Sequence, residues 1–129
     1  MDKQAVSQWC LQKAESCLDA AKVLFDNNLY EHSVNRSYYA IFHSMRAVLA
    51  LESFETKKHS GVIARFHMNH IKTGNFDKRF SKIINNSFTV RNFCDYEDFY
   101  IAEKSEVAEQ LDNAKDFVVA VAAYIQQLP

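Results

Sequence analysis

Apolar positions near the start of the chain recur at intervals of three and four residues, which is the spacing of an amphipathic helix. This pattern predicts a first helix from Lys3 to Phe25, and Asn27 and Asn28 are a suitable stop for it. The apolar stripe consists of Val6, Cys10, Ala14, Cys17, Ala21 and Leu24.

The segment from Glu31 to Leu51 carries two stripes instead of one. The first contains large apolar residues: Val34, Tyr38, Ile41, Phe42, Met45, Val48 and Leu49. The second is mostly small: Arg36, Ala40, His43, Ala47 and Ala50. A helix with two such faces touches neighbours on both sides. We therefore predict that this helix lies at the centre of the fold.

Two further helices are predicted in the next part of the chain. Ser60 is a candidate N-cap for a short helix with Val62, Ile63 and Phe66 facing inward, and Gly74 would end it. A longer helix should begin between Phe76 and Lys78 and run into the segment 89–99. The weak helix formers at 85–89 could bend it.

The last helix shows the most regular pattern. Ser105 is its candidate N-cap, and the stripe that follows consists of Val107, Leu111, Ala114, Val118, Val121, Ile125 and Leu128. Only two glycines and one proline occur in 129 residues, too few for the turns of a β-rich fold. The sequence predicts one all-α domain over residues 1–129, an up-and-down bundle of four long helices plus one short helix.

Charge and cysteine content narrow the classes of function. The chain has 15 lysines and arginines against 16 acidic residues, which disfavours nucleic-acid binding by bulk charge but leaves a local basic patch open. Three cysteines without a Cys-x-x-Cys spacing indicate buried thiols in a reducing cytoplasm. No apolar run approaches the roughly 20 residues of a membrane span, so no membrane association is expected.

Charged residues interrupt the apolar stripe of the predicted fourth helix. Arg91 follows the phase of Ile84, and Asp95 and Asp98 lie on the same face. Arg91 and Asp95 are spaced for an internal ion pair, but an arginine fork also matches phosphate oxygens. The sequence leaves both roles open.

Other candidate ligand-binding residues lie on the central helix and in the following loop. Tyr39 shares a stripe edge with Arg36 and His43, which favours a groove there. Lys57, Lys58 and His59 precede a helix N-terminus and form either an anion site or a solvated loop. His67 and His70 lack further ligands at usable spacing, so we predict neither a metal nor a cofactor.

Four short motifs in order resemble the signatures of the HEPN family of small helical domains. They are Arg-Ser-Tyr-Tyr-Ala-Ile-Phe-His at 36–43, Lys-His-Ser-Gly-Val-Ile at 58–63, Lys-Thr-Gly at 72–74 and Arg-Asn-Phe-Cys-Asp-Tyr at 91–96. The resemblance extends from about Ala14 to Tyr124. It implies a helical bundle that usually forms a homodimer. It also implies a metal-independent RNase or a partner of a small nucleotidyltransferase in a toxin–antitoxin pair.

The resemblance also suggests catalytic residues. The family's RNases use an arginine, often a polar neighbour, and a histidine after four to six intervening residues. This chain has Arg91 and Asn92 but places Tyr96, Glu97 and Asp98 where the histidine would stand. If the chain is catalytic, Arg91, Asn92 and Tyr96 are the expected residues, and cleavage of RNA should be slow or absent.

Three functions therefore remain from the sequence. The first is binding of RNA or a nucleotide beside a nucleotidyltransferase partner, with weak or no catalysis. The second is an active RNase with a composite site at a dimer axis, and the third is a purely structural bundle. In the first two, we expect the helix carrying Arg91 and its loop to lie at or beside a two-fold interface.

Overall fold

The computed structural model describes residues 2–56 and 58–129, and it contains no strand within those ranges. Its helices are α1 (Lys3–Asp26), α2 (Tyr30–Ala50), α3 (His59–Phe66), α4 (Arg79–Tyr96) and α5 (Lys104–Gln126). A π-helical turn, His67–Ile71, continues α3. The predicted all-α bundle of four long helices and a short one is confirmed.

Helix α2 lies at the centre and contacts α1, α3, α4 and α5. Its large side chains are fully covered, with Ile41 1% exposed and Met45 not exposed at all. Its small face lies close to α1, where the hydroxyl of Ser7 donates to the carbonyl of Ala47 across 2.6 Å. The prediction that the segment from Glu31 to Leu51 forms the central helix is therefore confirmed.

The predicted ends of α1 and of the short helix agree with the structure. Asn27 follows the last residue of α1, and Asn28 adopts a left-handed backbone with φ 63°, a conformation that asparagine tolerates well. Helical structure continues from α3 through the π turn to Ile71. Gly74 then takes φ 85°, which a residue with a side chain rarely adopts, and so stops the segment.

Two predicted N-caps are wrong. The chain enters α3 at Lys58, whose backbone is extended and whose N–H donates to the Thr56 hydroxyl, so Ser60 already lies inside the helix. At α5 the carbonyl of Glu103 accepts from the N–H of Val107, which starts the helix one residue before Ser105. No side-chain cap is present at either helix.

Helix α4 is continuous through the segment 85–89, where the sequence suggested a bend. The hydroxyl of Thr89 donates to the carbonyl of Asn85 one turn earlier, and Ser87 is buried against the bundle. Tertiary packing therefore outweighs the weak helix propensity of this segment. The helix ends at Tyr96, so Asp98 lies beyond it and does not continue the face of Arg91 and Asp95.

All three cysteines are free thiols. Cys10 and Cys17 are buried as predicted, whereas Cys94 is only partly covered. Burial, together with the neighbouring Glu106 carboxylate, raises the pKa of the Cys94 thiol to about 11. Among the described residues, no helix combines the length and the apolar character needed to cross a membrane.

Candidate functional site

Helix α4 packs on α2 so that the side chain of Arg91 lies against two consecutive tyrosines. The Cζ atom of Arg91 is 5.1 Å from the ring centre of Tyr38 and 5.6 Å from that of Tyr39. Its Nη2 donates to the Tyr39 hydroxyl across 3.3 Å. These distances allow cation–π attraction with both rings, which holds the guanidinium at the α2–α4 surface.

Asp95 accompanies Arg91 one turn further along α4. Its Oδ2 lies 2.9 Å from the Arg91 Nε, and the two side chains are 27% and 12% exposed. The Nε–H is not aligned for a hydrogen bond with any described acceptor, so the contact is an ion pair. The amide of Asn35 on α2 donates to the same Asp95 oxygen across 3.3 Å. Asp95 therefore holds Arg91 through Nε, whereas the two Nη groups bond to Asn92 and Tyr39.

A second arginine, Arg36, joins the same network through α2. Its Nε and Nη2 donate to the Asn35 side-chain carbonyl across 3.1 and 2.8 Å. Its Cζ lies 5.0 Å from the Tyr39 ring centre. Two guanidinium groups thus meet one tyrosine ring, and Asp95 is the only carboxylate paired with either of them within residues 2–56 and 58–129.

Helix α3 delivers the imidazole of His59 to the same place. Its Nδ1 lies 2.7 Å from the Tyr38 hydroxyl, and its ring centre is 4.2 Å from that of Phe42. Burial lowers the pKa of His59, and the nearby Arg91 charge lowers it further. The sequence could not tell whether a histidine approaches Arg91, and the tertiary structure brings His59 to it.

His43 lies on the inner side of this cluster and is 8% exposed. Its ring centre is 5.9 Å from that of Tyr39, and its Nδ1 is 3.0 Å from Arg46 Nη1. Arginine can only donate, so Nδ1 accepts and the ring proton is on Nε2. Burial, assisted by the Arg46 charge, lowers the pKa of His43 to about 4. His43 is therefore neutral near pH 7.

The remaining predicted site residues lie at the edge of the cluster or outside it. The side-chain carbonyl of Asn92 accepts a hydrogen bond from Arg91 Nη1 across 3.4 Å. Tyr96 is 71% exposed, and its ring centre lies 5.6 Å from Arg91 Cζ. Lys58 is exposed, and its side chain makes no hydrogen bond or ion pair within the part of the chain that the structure describes. Lys57 lies outside the described residues.

Sequence reasoning missed two members of the cluster. Tyr38 was assigned to the core, and it is buried, but its hydroxyl also holds His59. Asn35 was not singled out, although its amide links the Arg36 and Asp95 side chains. A buried tyrosine needs a partner for its hydroxyl, and this was the one signal that could have pointed to a role for Tyr38.

His67 and His70, the two histidines considered as metal ligands, contact different partners. His67 lies within 2.9 Å of both the Ile63 carbonyl and the Ser81 hydroxyl, while His70 Nε2 lies 3.3 Å from Glu52 Oε2. No group of three or more metal-ligating side chains occurs among the residues that the structure describes.

Comparison with known proteins agrees with this architecture. The model of the HEPN domain family matches residues 7–124. A protein named "UPF0332 protein" from Thermotoga maritima is 33% identical over 127 residues, covering 98% of this chain and 96% of the relative.

Two relatives come from Methanocaldococcus jannaschii. The one named "Putative toxin MJ0605" is 42% identical over 69% of this chain, and the match spans 66% of the relative's length. The one named "Putative toxin MJ0142" is 37% identical over 78% of this chain and 68% of its own length.

The environment of His43 predicts a pH-dependent stability. Because its folded pKa of about 4 lies below the unfolded value, the neutral ring stabilises the fold fully above pH 6.5, and this contribution is lost as the pH falls through 4. Between pH 7 and pH 4.5, the wild type should lose about 2 kcal/mol more unfolding free energy than His43→Gln, which has no imidazole to protonate at this position. Urea unfolding at pH 7 and pH 4.5 measures the difference, with His67→Gln as the control. If the unfolding free energies of the wild type and of His43→Gln fall equally between these two pH values, the low pKa of His43 is contradicted.

Proposed function

The chain belongs to the HEPN domain family, and on that premise we propose that the cluster around Arg91 binds a phosphate-bearing ligand, either RNA or a nucleotide. The observation that carries this proposal is the convergence of Arg36 and Arg91 on one tyrosine ring, where Asp95 is the one carboxylate that pairs with either arginine among the described residues. Guanidinium groups stay charged and match phosphate oxygens with their planar forks.

The rings around the two arginines suit the rest of such a ligand. Tyr39 is partly exposed at the surface of the cluster, and the Tyr96 ring is largely exposed beside Arg91. Exposed aromatic faces stack on nucleobases of any sequence, and the base–aromatic contact contributes about 1–3 kcal/mol. A phosphate held by the arginines and a base stacked on a tyrosine would use both features of the surface.

We further propose that the chain acts in the cytoplasm with a small nucleotidyltransferase as one half of a toxin–antitoxin pair. The toxin names of the two archaeal relatives support the class of system, and the three free thiols are compatible with a reducing compartment. A gene for a small nucleotidyltransferase next to the gene for this chain would support the pairing. If that nucleotidyltransferase, once purified, does not bind this chain, the pairing is contradicted.

A homodimer centred on α4 is part of the same proposal. Large apolar or aromatic side chains are exposed at the end of α4 and in the loop after it: Phe93 (42%), Tyr96 (71%), Phe99 (99%) and Ile101 (80%). Exposed apolar side chains concentrated in one short segment are typical of a protein interface. Since Tyr96 also lies against Arg91, pairing through this segment would bring two Arg91 sites close together.

Metal-independent cleavage of RNA is the second candidate function. The motif histidine is absent at 96–98, but His59 lies against the two tyrosines that hold Arg91. An imidazole beside a phosphate-binding arginine supplies the two kinds of group that this reaction needs. The binding proposal does not depend on cleavage.

Replacement of Arg91 tests the binding proposal. We expect Arg91→Ala to keep its helical circular dichroism and to weaken binding of a short single-stranded RNA about 10- to 100-fold, because charge-assisted phosphate contacts are lost. The slope of affinity against salt should become shallower. Asp95→Ala should weaken binding less, about threefold, since it removes only the group that orients Arg91. Fluorescence anisotropy of labelled RNA measures both.

Arg79→Ala is the matched control, because Arg79 lies on the same helix in an exposed ion pair with Asp116, 3.7 Å away. Its affinity should equal that of the wild type. Equal losses in Arg79→Ala and Arg91→Ala would indicate nonspecific charge attraction. If the wild type binds neither RNA nor mononucleotides, a purely structural role is the function that remains.

The dimer proposal has its own measurement. Light scattering at micromolar concentration should give twice the 14.9 kDa chain mass. Phe99→Asp should shift the population towards monomer, because it places a charge where we expect an apolar contact, whereas Val119→Asp on α5 should not. A wild-type protein that stays monomeric at high concentration would contradict this arrangement.

A further inference from the structure

We infer that His59 is a neutral hydrogen-bond donor of the Arg91 site and that its Nε2–H binds a phosphodiester oxygen of single-stranded RNA. The inference deepens the proposed function and rests on it, since it assigns a contact to the RNA bound there. It also separates binding from cleavage, because an imidazole nitrogen that presents a proton cannot take one from a ribose 2′-hydroxyl. The site then holds the RNA strand intact.

The buried hydroxyl of Tyr38 decides which nitrogen of His59 carries the proton. Its oxygen lies 2.7 Å from His59 Nδ1 and makes no other hydrogen bond to a described residue. Tyr38 is 1% exposed, so its own proton would be buried without an acceptor if Nδ1–H donated to the hydroxyl instead. The Tyr38 O–H therefore donates to the lone pair of Nδ1, and the imidazole proton lies on Nε2.

The Nε2–H of His59 is available to a ligand. Nε2 has no hydrogen-bond partner within residues 2–56 and 58–129, and it is not one of the fully buried side-chain atoms that lack a partner there. Solvent therefore reaches it, and the whole residue is partly exposed. The Phe42 ring, whose centre is 4.2 Å from that of His59, restricts the imidazole plane. The donor is thus both accessible and held in direction.

The surroundings keep His59 neutral near pH 7. Burial, together with the charge of Arg91, lowers the pKa of its imidazole below the ordinary value. Tyr38 stays protonated, because burial raises the pKa of its hydroxyl. His59 therefore adds a donor to the site without adding a second full charge beside Arg91.

The free hydrogen-bonding groups around the Tyr39 ring are donors. Its hydroxyl accepts from Arg91 Nη2 and makes no other hydrogen bond to a described residue, so its own proton remains to be donated. Each Nη group of Arg91 keeps a second N–H beyond its bond to Asn92 or Tyr39. The His59 ring centre is 5.7 Å from that of Tyr39. Three residues thus offer donors around one ring, which suits phosphodiester oxygens because these can only accept.

Neither imidazole of the cluster presents a lone pair. His43 also carries its proton on Nε2, because its Nδ1 accepts from Arg46. Metal-independent cleavage needs a base that removes the proton of the 2′-hydroxyl. His59 could supply that base only by giving up its hydrogen bond from Tyr38. This hydrogen bond therefore favours RNA binding over the second candidate function.

The test compares two substitutions of His59 that both keep an acceptor for the Tyr38 hydroxyl. The amide of glutamine can place an N–H where Nε2 stands, whereas that of asparagine is too short to do so. We expect His59→Asn to weaken binding of a short single-stranded RNA about tenfold and His59→Gln less than about threefold, because only the first loses a donor to a charged oxygen. Fluorescence anisotropy measures both. The matched control His67→Asn, outside the cluster, should bind as the wild type does.

Nitrogen NMR of the histidine side chains supplies a readout that a merely structural role would not move. In the wild type, His59 should be protonated on Nε2, and the resonance of that nitrogen should shift when the RNA is added. Tyr38→Phe should give a mixture of His59 tautomers. His67 is an internal reference with the opposite tautomer, because its Nδ1 lies 2.9 Å from the Ile63 carbonyl, which can only accept.

Three outcomes would overturn the inference: a wild-type His59 ring protonated on Nδ1, wild-type affinity in His59→Asn, or equal losses of affinity in His59→Asn and His59→Gln. Cleavage of the RNA in EDTA that disappears in His59→Gln would also overturn it, since that reaction needs a lone pair on Nε2. In each of these cases the binding proposal stands. If Arg91→Ala binds RNA as the wild type does, the proposed function itself fails.

Discussion

The contact of Arg91 with the tyrosine pair of α2 is the interaction on which the candidate site depends. A guanidinium at this position would be costly to desolvate without partners, and two aromatic faces, the Tyr39 hydroxyl and the Asp95 carboxylate provide them. These partners hold the charge at the surface between α2 and α4. His59 at the start of α3 lies against the same two rings, so Tyr38 and Tyr39 contact side chains from both α3 and α4.

The exposure of Arg91 and Asp95 bears on whether they form an internal ion pair or a binding site. The side chains are neither fully buried nor free in solvent, at 12% and 27% exposure. A pair of this kind adds little net stability, since desolvation offsets much of its attraction. Its stronger effect is to restrict the rotamers of Arg91, which would lower the entropy cost of the proposed phosphate binding.

The central helix combines two tasks that oppose each other. Its apolar stripe fills the core with residues such as Met45, while its other side carries polar groups that bond to neighbouring helices. The partners come from different helices: Ser7 on α1 bonds to the Ala47 carbonyl, and Asp95 on α4 bonds to Asn35. A central position makes this possible, because α2 contacts α1, α3, α4 and α5.

The helices follow from the sequence, because apolar periodicity at three and four residues is a local property of the chain. The sequence indicated the central position of α2 and the stop at Gly74, but it misplaced the caps at Ser60 and Ser105, because these helices begin after the extended residues Lys58 and Glu103, neither of which caps the helix with its side chain. It named Arg36, Tyr39, His43, His59 and Arg91 as separate candidates. Packing between helices brings His59 to Tyr38 and Asp95 to Asn35, and neither contact follows from spacing along the chain.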